Sequence, residues 1–407
     1  MITTGVTGQT WRASVSPGGD LHPWDDGPEL RWYVAADDRW HVPDDEPAVR
    51  QRRIDGTPVT ETRVRVPNGD VVQRVFSVAD AGGFTVVEVE NESTMPVAIA
   101  FSRRDVLTER PIADVPIDGI ELPDDAFVMP LGHRSTLRIG VPHGPGRSGP
   151  LPPLPTFMQV VRGWSTIVER ASRFVLPDGE LGAGLAERVV ASRCELALGA
   201  IPRADEDAAG FALALNELVR MGEDPDHWLP ELVGAVERLG PTTTWAADVA
   251  VVAAGRTLAQ AGERRALRDL DRIVARRTPS RRPDAPPDGV AAIAWLETSL
   301  ADGASLLPDG LPPSWLGQSF EVYGVPTRRG SAVSYAIRWH GERPAVLWEQ
   351  QGAAIELVAP VLAPGWSTNE AKGEALWPAP GPPAGPAGAA GDEEPSGSPG
   401  GGPTSFS

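Results

Sequence analysis

Cysteine is almost missing from this chain. Cys194 is the only one in 407 residues, so no intrachain disulfide forms. It lies in VVASRCELAL, an apolar helical pattern in which a free cysteine acts as a small core residue. No histidine stands near it in sequence, which argues against a catalytic thiol. Lysine is as scarce: Lys372 is the only one, and arginine supplies almost all of the 37 basic side chains. With the richness in Ala, Gly and Pro, this resembles translation of a GC-rich bacterial genome. Acids outnumber bases, 55 to 37, for a net charge of −18. Such a surface repels phosphate backbones and anionic lipid, so nucleic acid and membrane surfaces are poor partners.

Other absences narrow the chemistry. No run approaches the roughly 18 consecutive apolar residues of a membrane span. The start, MITTGVTGQTWRASVS, lacks the basic and apolar regions of a signal peptide. A soluble, cytoplasmic protein is therefore expected. The six histidines are scattered, with no HExxH and no cysteine pair, so no metal is expected. There is no GxxxxGK[ST], no strand-GxGxxG-helix unit and no GxSxG elbow. No cofactor is implied.

What is present falls into regions. Residues 1–150 read as an antiparallel β-sandwich. PVTETRVRV alternates with imperfect phase, Pro67-Asn68-Gly69-Asp70 turns, VVQRVFSV follows, and Ala81-Gly82-Gly83 leads into FTVVEVEN. Asn91-Glu92-Ser93 matches a glycosylation sequon but reads as another turn. Residues 143–155, HGPGRSGPLPPLP, read as a Pro/Gly linker without helix or sheet.

Residues 156–304 take helical spacing, about seven helices. AAGFALALNELVRMG, AADVAVVAAGRTLAQAG and GVAAIAWLETSLADG are apolar nearly all round and should be buried on more than one side. HWLPELVGAVERLG and ERRALRDLDRIVARR are amphipathic and should lie outside them. Asp207, Asp248 and Asp288 recur near the starts of the apolar helices, and Gly222-Glu223 and Gly262-Glu263 end two of them. A period near 40 describes an αα-hairpin repeat, stacked as a solenoid or closed into an α/α toroid. Residues 306–377 return to β as a small C-terminal domain. Residues 378–407 are a Pro/Gly-rich tail expected to be disordered.

This layout resembles the six-hairpin glycosidases of bacteria. The resemblance rests on VVQRVFSVADAGGFTVVEVENES, GLPPSWLGQSFEVYGVPT and YAIRWHGERPAVLWE. It implies an (α/α)6 toroid between β modules and an oligosaccharide ligand. A complete toroid has twelve helices, which need about 200 residues or more. Residues 156–304 hold fewer, so a partial toroid is expected, and one of the two active-site acids is in doubt.

Glycoside hydrolysis uses two carboxyl groups across one bond, one protonated and one ionised. The candidates are Asp207, Asp248, Asp288 and Glu297, with Asp205 and Glu206 beside the first. Acids in a first helical turn equally serve as caps. Glu217 pairs readily with Arg220 at i+3, whereas Glu297 has no arginine within four residues. Trp245 is a candidate sugar-stacking ring, and Arg338, His340 and Glu349 are candidate ligand groups on the polar side of a hairpin. Trp11, Trp24, Trp32 and Trp40, with acids among them, either line a glycan cleft or plug the ends of the sandwich. Two readings follow: a protein that holds or hydrolyses an oligosaccharide, or a non-catalytic scaffold that presents a degenerate toroid to a protein partner.

Overall fold

The computed structural model describes residues 1–24, 27–112, 117–144 and 149–380. Residues 145–148 of the expected linker, and the expected disordered tail from 381 on, lie outside the described residues. Three parts follow one another along the chain: antiparallel sheets, seven helices, and two further sheets.

Two N-terminal sheets share one core. A six-stranded sheet runs in the order Leu107–Thr108, Thr136–Pro142, Phe84–Asn91, Gly69–Val78, Thr60–Val66, Arg50–Arg53. A four-stranded sheet carries Phe127–Leu131, Val97–Phe101, Trp32–Ala35 and Trp40–His41. Val64, Val75, Val87 and Ile139 of the first meet Val34, Ile99, Phe101 and Phe127 of the second. This is the arrangement of a β-sandwich, and each such side chain contributes about 1.5–3 kcal/mol by leaving water. The imperfect phase of PVTETRVRV has a cause: Val59 belongs to a different core, on the far face of the six-stranded sheet, with Phe76, Phe84 and Val161. Both faces are covered there, so strict alternation is not required. Asn91-Glu92-Ser93 is a turn: Asn91 is buried, and its Oδ1 accepts from the Ser93 N–H at 2.9 Å.

The far face also carries a row of alternating charge. Arg52, Glu61, Arg74, Glu88 and Arg138 stand directly opposite one another on five adjacent strands. Arg52 and Arg74 both donate to Glu61 at 3.1 Å, and Arg138 donates to Glu88 at 2.7 Å. Cross-strand pairs of opposite charge favour this register over a slip. Phe157 covers the row, its ring 4.5 Å from the Arg74 guanidinium.

Phe157 opens the first helix, α1 (Phe157–Val168), which starts with a capping box between Thr156 and Gln159. The helix lies between sandwich and bundle: Val161 packs on the sheet, while Trp164 and Val168 pack on later helices. Then follow α2 (Leu185–Ala197), α3 (Ala208–Met221), α4 (Leu229–Leu239), α5 (Trp245–Gln260), α6 (Arg264–Val274) and α7 (Ala291–Leu300). α3 and α5 pack on each other, with α4 and α6 against their outer sides. Gly255 permits the α6 contact, because a Cβ there would stand 3.0 Å from Leu270. The 40-residue repeat is real at two helix ends. Gly222 and Gly262 have positive φ, and the next N–H bonds back to Leu218 O and Leu258 O.

The C-terminal part is two sheets around one core. Five strands run in the order Arg173–Val175, Phe320–Arg328, Ser331–His340, Arg343–Gln351, Lys372–Leu376, and four short ones form the second sheet. The first of the five comes from between α1 and α2; three residues are too few to show a period in the sequence. In SYAIRWHGERPAVLWE, Tyr335, Ile337, Val346 and Trp348 face the core and Gly341 turns with φ 62°. The same core takes in Leu185 and Val189 of α2 and Ile293 and Leu296 of α7.

The buried charge row can be tested. Glu61→Gln, at a 3% exposed carboxylate touching three arginines, is expected to lose about 1–3 kcal/mol in a denaturant titration. Glu92→Gln, at the solvated rim, should lose less than about 1 kcal/mol. Equal losses would remove the row from the account of sheet stability.

Candidate functional site

Five segments meet at four buried charges. Arg193 of α2 is 1% exposed. Its Nε donates to Glu217 Oε2 at 2.8 Å, Nη1 to Ser172 O at 2.7 Å and Nη2 to Ser172 Oγ at 2.7 Å. Arg220, one turn after Glu217 on α3, donates to Glu217 Oε1 at 2.5 Å and to both oxygens of Glu297 at 2.8 and 3.1 Å. Its Nη2 also reaches Ala171 O at 2.6 Å and Gly324 O at 3.4 Å. Glu297, on α7, completes the set by accepting from Ser172 Oγ at 2.8 Å and Arg193 Nη2 at 3.3 Å. Ser172 accepts from Arg193, so its own proton goes to Glu297.

The electrostatics follow from this closure. Burial alone would raise the Glu217 carboxyl, but Arg220 and Arg193 outweigh it and hold it below the usual carboxylate range. Burial works against the Arg220 cation, and Glu217 with Glu297 raises it above the ordinary arginine value. Glu217 and Glu297 share one nitrogen, Arg220 Nη1, and so lie a few ångströms apart.

The two glutamates edge a cavity of about 1070 Å³ between α5, α7 and the segments around them. Trp245, Trp295, Trp315, Asp248, Arg256 and Asp302 also line it. Trp245 is the half-buried ring of the three, set at the first position of α5 behind the Thr244 cap. Asp248 lies one turn further on. It accepts from Arg277 Nε at 2.8 Å and from the Ser280 N–H at 2.7 Å. Burial pushes its carboxyl up, and these donors bring it below the usual range. Glu297, Asp248 and Trp245 are thus gathered at one cavity.

The remaining candidates lie elsewhere. Asp207 caps α3, its Oδ1 accepting from the Gly210 N–H at 2.8 Å. Asp288 is fully exposed before α7, 3.5 Å from Arg188. The three aspartates recur in sequence yet occupy different places: a cap, a first-turn position inside the helix, and a loop. Asp205 and Glu206 are exposed and pair with Arg203. Arg338, His340 and Glu349 are all exposed on the outer face of the five-stranded sheet, where Arg338 pairs with Glu321. Glu349 stands opposite Lys372.

The N-terminal tryptophans do not converge. Trp32 is core and donates to Gly18 O, Trp11 stacks on His143 at 3.9 Å, Trp40 donates to Asp118 O, and Trp24 is exposed. Cys194 is fully buried, and burial pushes its thiol up to about 12, which leaves it inert. Sequence reasoning missed Arg256 and Arg193 altogether. An arginine on an apolar helix is a weak signal, because nothing local separates a buried partner from a solvated end.

Asp20 is another buried acid, 5% exposed in the N-terminal part. Burial first, then the neighbouring Asp44 and Glu29, raise it to about 7. A raised acid stabilises the native state fully below its unfolded value of 3.8, and that contribution is lost as pH rises through about 7. Asp20→Asn should therefore flatten the decline in stability between about pH 4 and 7, followed by thermal unfolding in a pH series. An unchanged slope would show that Asp20 does not hold the proton. For the charge cluster, Arg193→Met should cost about 3–5 kcal/mol, because it strands a buried carboxylate. Arg193→Met with Glu217→Leu should cost less than the two single changes added, as read in a double-mutant cycle. Compared with models of known families and with curated proteins, the chain matches none, so a reading of the cavity rests on its own side chains.

Proposed function

We propose that the protein binds an oligosaccharide in the cavity between α5 and α7 without hydrolysing it by the two-acid route. The carrying observation is the lining: Trp245, Trp295 and Trp315 together with fixed carboxylates and guanidinium groups around about 1070 Å³. Sugars present apolar C–H faces and many hydroxyls, and a wall of aromatic rings with pre-oriented charged groups suits both. In this reading the helical hairpins are a partial α/α toroid that has kept a ligand cleft.

The chemistry of the acids argues for binding alone. Hydrolysis needs one carboxyl group held protonated beside one held ionised. Glu217 is held ionised by Arg220 and Arg193, and Asp248 by the Ser280 N–H and Arg277. Both oxygens of Glu297 are engaged by Ser172 and Arg220, so neither is free to reach a glycosidic oxygen. A scaffold role has one observation in its favour. Val175, Tyr323, Leu347 and Leu376 are exposed on strands of the five-stranded sheet.

Isothermal titration with a panel of neutral and acidic oligosaccharides tests the proposal. Saturable binding is expected, with Trp245→Ala weakening it about tenfold or more through loss of stacking, and with no new reducing ends over hours. No saturable heat at millimolar sugar would end the binding reading. Steady release of reducing ends would end the claim that the acids are inert.

A further inference from the structure

Arg256 differs from the other arginines at this cavity. Arg277 pairs with Asp248 and Arg282 with Asp309. Arg256 has no carboxylate within ion-pair distance among the described residues. Its Nε is shielded from solvent and has no partner. Its Nη2 makes one long bond, 3.4 Å to Pro326 O. Burial lowers its pKa, but a guanidinium stays charged at neutral pH.

The neighbouring cluster does not neutralise it. Glu217 and Glu297 are already matched by Arg193 and Arg220, so Arg256 adds one cation beside a neutral set. A buried charge without a partner is destabilising unless something supplies the partner. Asp302, also at the cavity, has no arginine within ion-pair distance among the described residues, but it is exposed. The two spare charges are therefore not equivalent: Arg256 is half-buried with its Nε shielded, whereas Asp302 is exposed. A single guanidinium among Glu217, Glu297 and Asp302 matches one negative charge. A dianionic phosphate would bring a second charge with no cation to meet it, whereas a carboxylate brings one charge in a planar form that fits a guanidinium.

We infer that Arg256 receives the carboxylate of an acidic sugar, so that the ligand of this cavity is a uronic-acid-bearing oligosaccharide. This rests on the oligosaccharide reading above. Nothing is transferred or cleaved in this step.

The test compares three probes by isothermal titration: a glucuronate-terminated disaccharide, its glucose-terminated counterpart and glucose 6-phosphate. Wild type should bind the glucuronate probe about tenfold or more tighter than the neutral one, the value of a charge-assisted hydrogen bond. Glucose 6-phosphate should bind no better than the neutral probe. Arg256→Gln should abolish the preference, so that the variant binds the acidic and the neutral probe equally. Arg256→Met supplies a readout free of any ligand. Its melting temperature should equal or exceed that of wild type, because a half-buried cation without a carboxylate partner is removed. A fall of several degrees would assign Arg256 to structure and overturn the inference. Equal wild-type affinity for the acidic and neutral disaccharides would also overturn it while the sugar reading stands. Tighter binding of the phosphate probe would replace the carboxylate by a phosphate. No saturable binding of any probe would overturn both readings.

Discussion

The part of the structure that most constrains the rest is a closed set of four charges out of water. Arg193, Glu217, Arg220 and Glu297 come from α2, α3 and α7, and their remaining donors end on Ser172, Ala171 and Gly324. Any one of these groups alone would be strongly unfavourable in this interior; together they satisfy one another. The consequence is geometric. Moving α3 by one turn along α7 would strand both arginines, and withdrawing the strand at Gly324 would free a guanidinium hydrogen. Apolar packing tolerates small slides, since any apolar contact resembles another. A bidentate guanidinium does not. The helices and the C-terminal sheet are thereby held in one relation.

Much of the organisation was legible in the residues because it is periodic. Alternation marked the N-terminal strands, apolar girth marked α3, α5 and α7, and Gly222 and Gly262 marked two helix ends. The site was less legible. Glu297 seems unpaired along the chain because its arginines are 77 and 104 residues away. Asp207 and Asp288 look like Asp248 in their sequence setting, yet only Asp248 reaches the cavity. Periodicity reports which face of an element is buried; it says nothing of which distant element supplies the counter-charge. The strand Arg173–Val175 was hidden for a related reason, because its identity comes from pairing with Glu321, Val322 and Tyr323 far along the chain.

The cavity inherits its character from that cluster. Arginines stand behind Glu217 and Glu297, so the acids facing the space are fixed acceptors rather than proton donors. Catalysis of glycoside cleavage relies on environments that push two carboxyl groups apart in acidity. Here arginine pulls Glu217 and Asp248 in the same direction. The wall is therefore polar, rigid and poor in transferable protons, which suits recognition. Arg256, which has no carboxylate partner among the described residues, is the place where we propose that ligand charge enters.

The flanking sheet also explains how so few helices form a stable layer. A helix apolar all round cannot end a stack, because its outer face would meet water. α7 is in that position, and α2 packs beside it. Leu185 and Val189 of α2, with Ile293 and Leu296 of α7, are buried in the core of the C-terminal sheets beside Val322, Tyr335 and Ile337. Further helix pairs are not needed to cover these faces, since the sheet covers them. On the other side α1 performs the same service, with Val161 on the N-terminal sheet and Trp164 on the bundle. A short helical layer sealed by sheets at both ends keeps its inner surface open along α5 and α7, and that opening is the cavity.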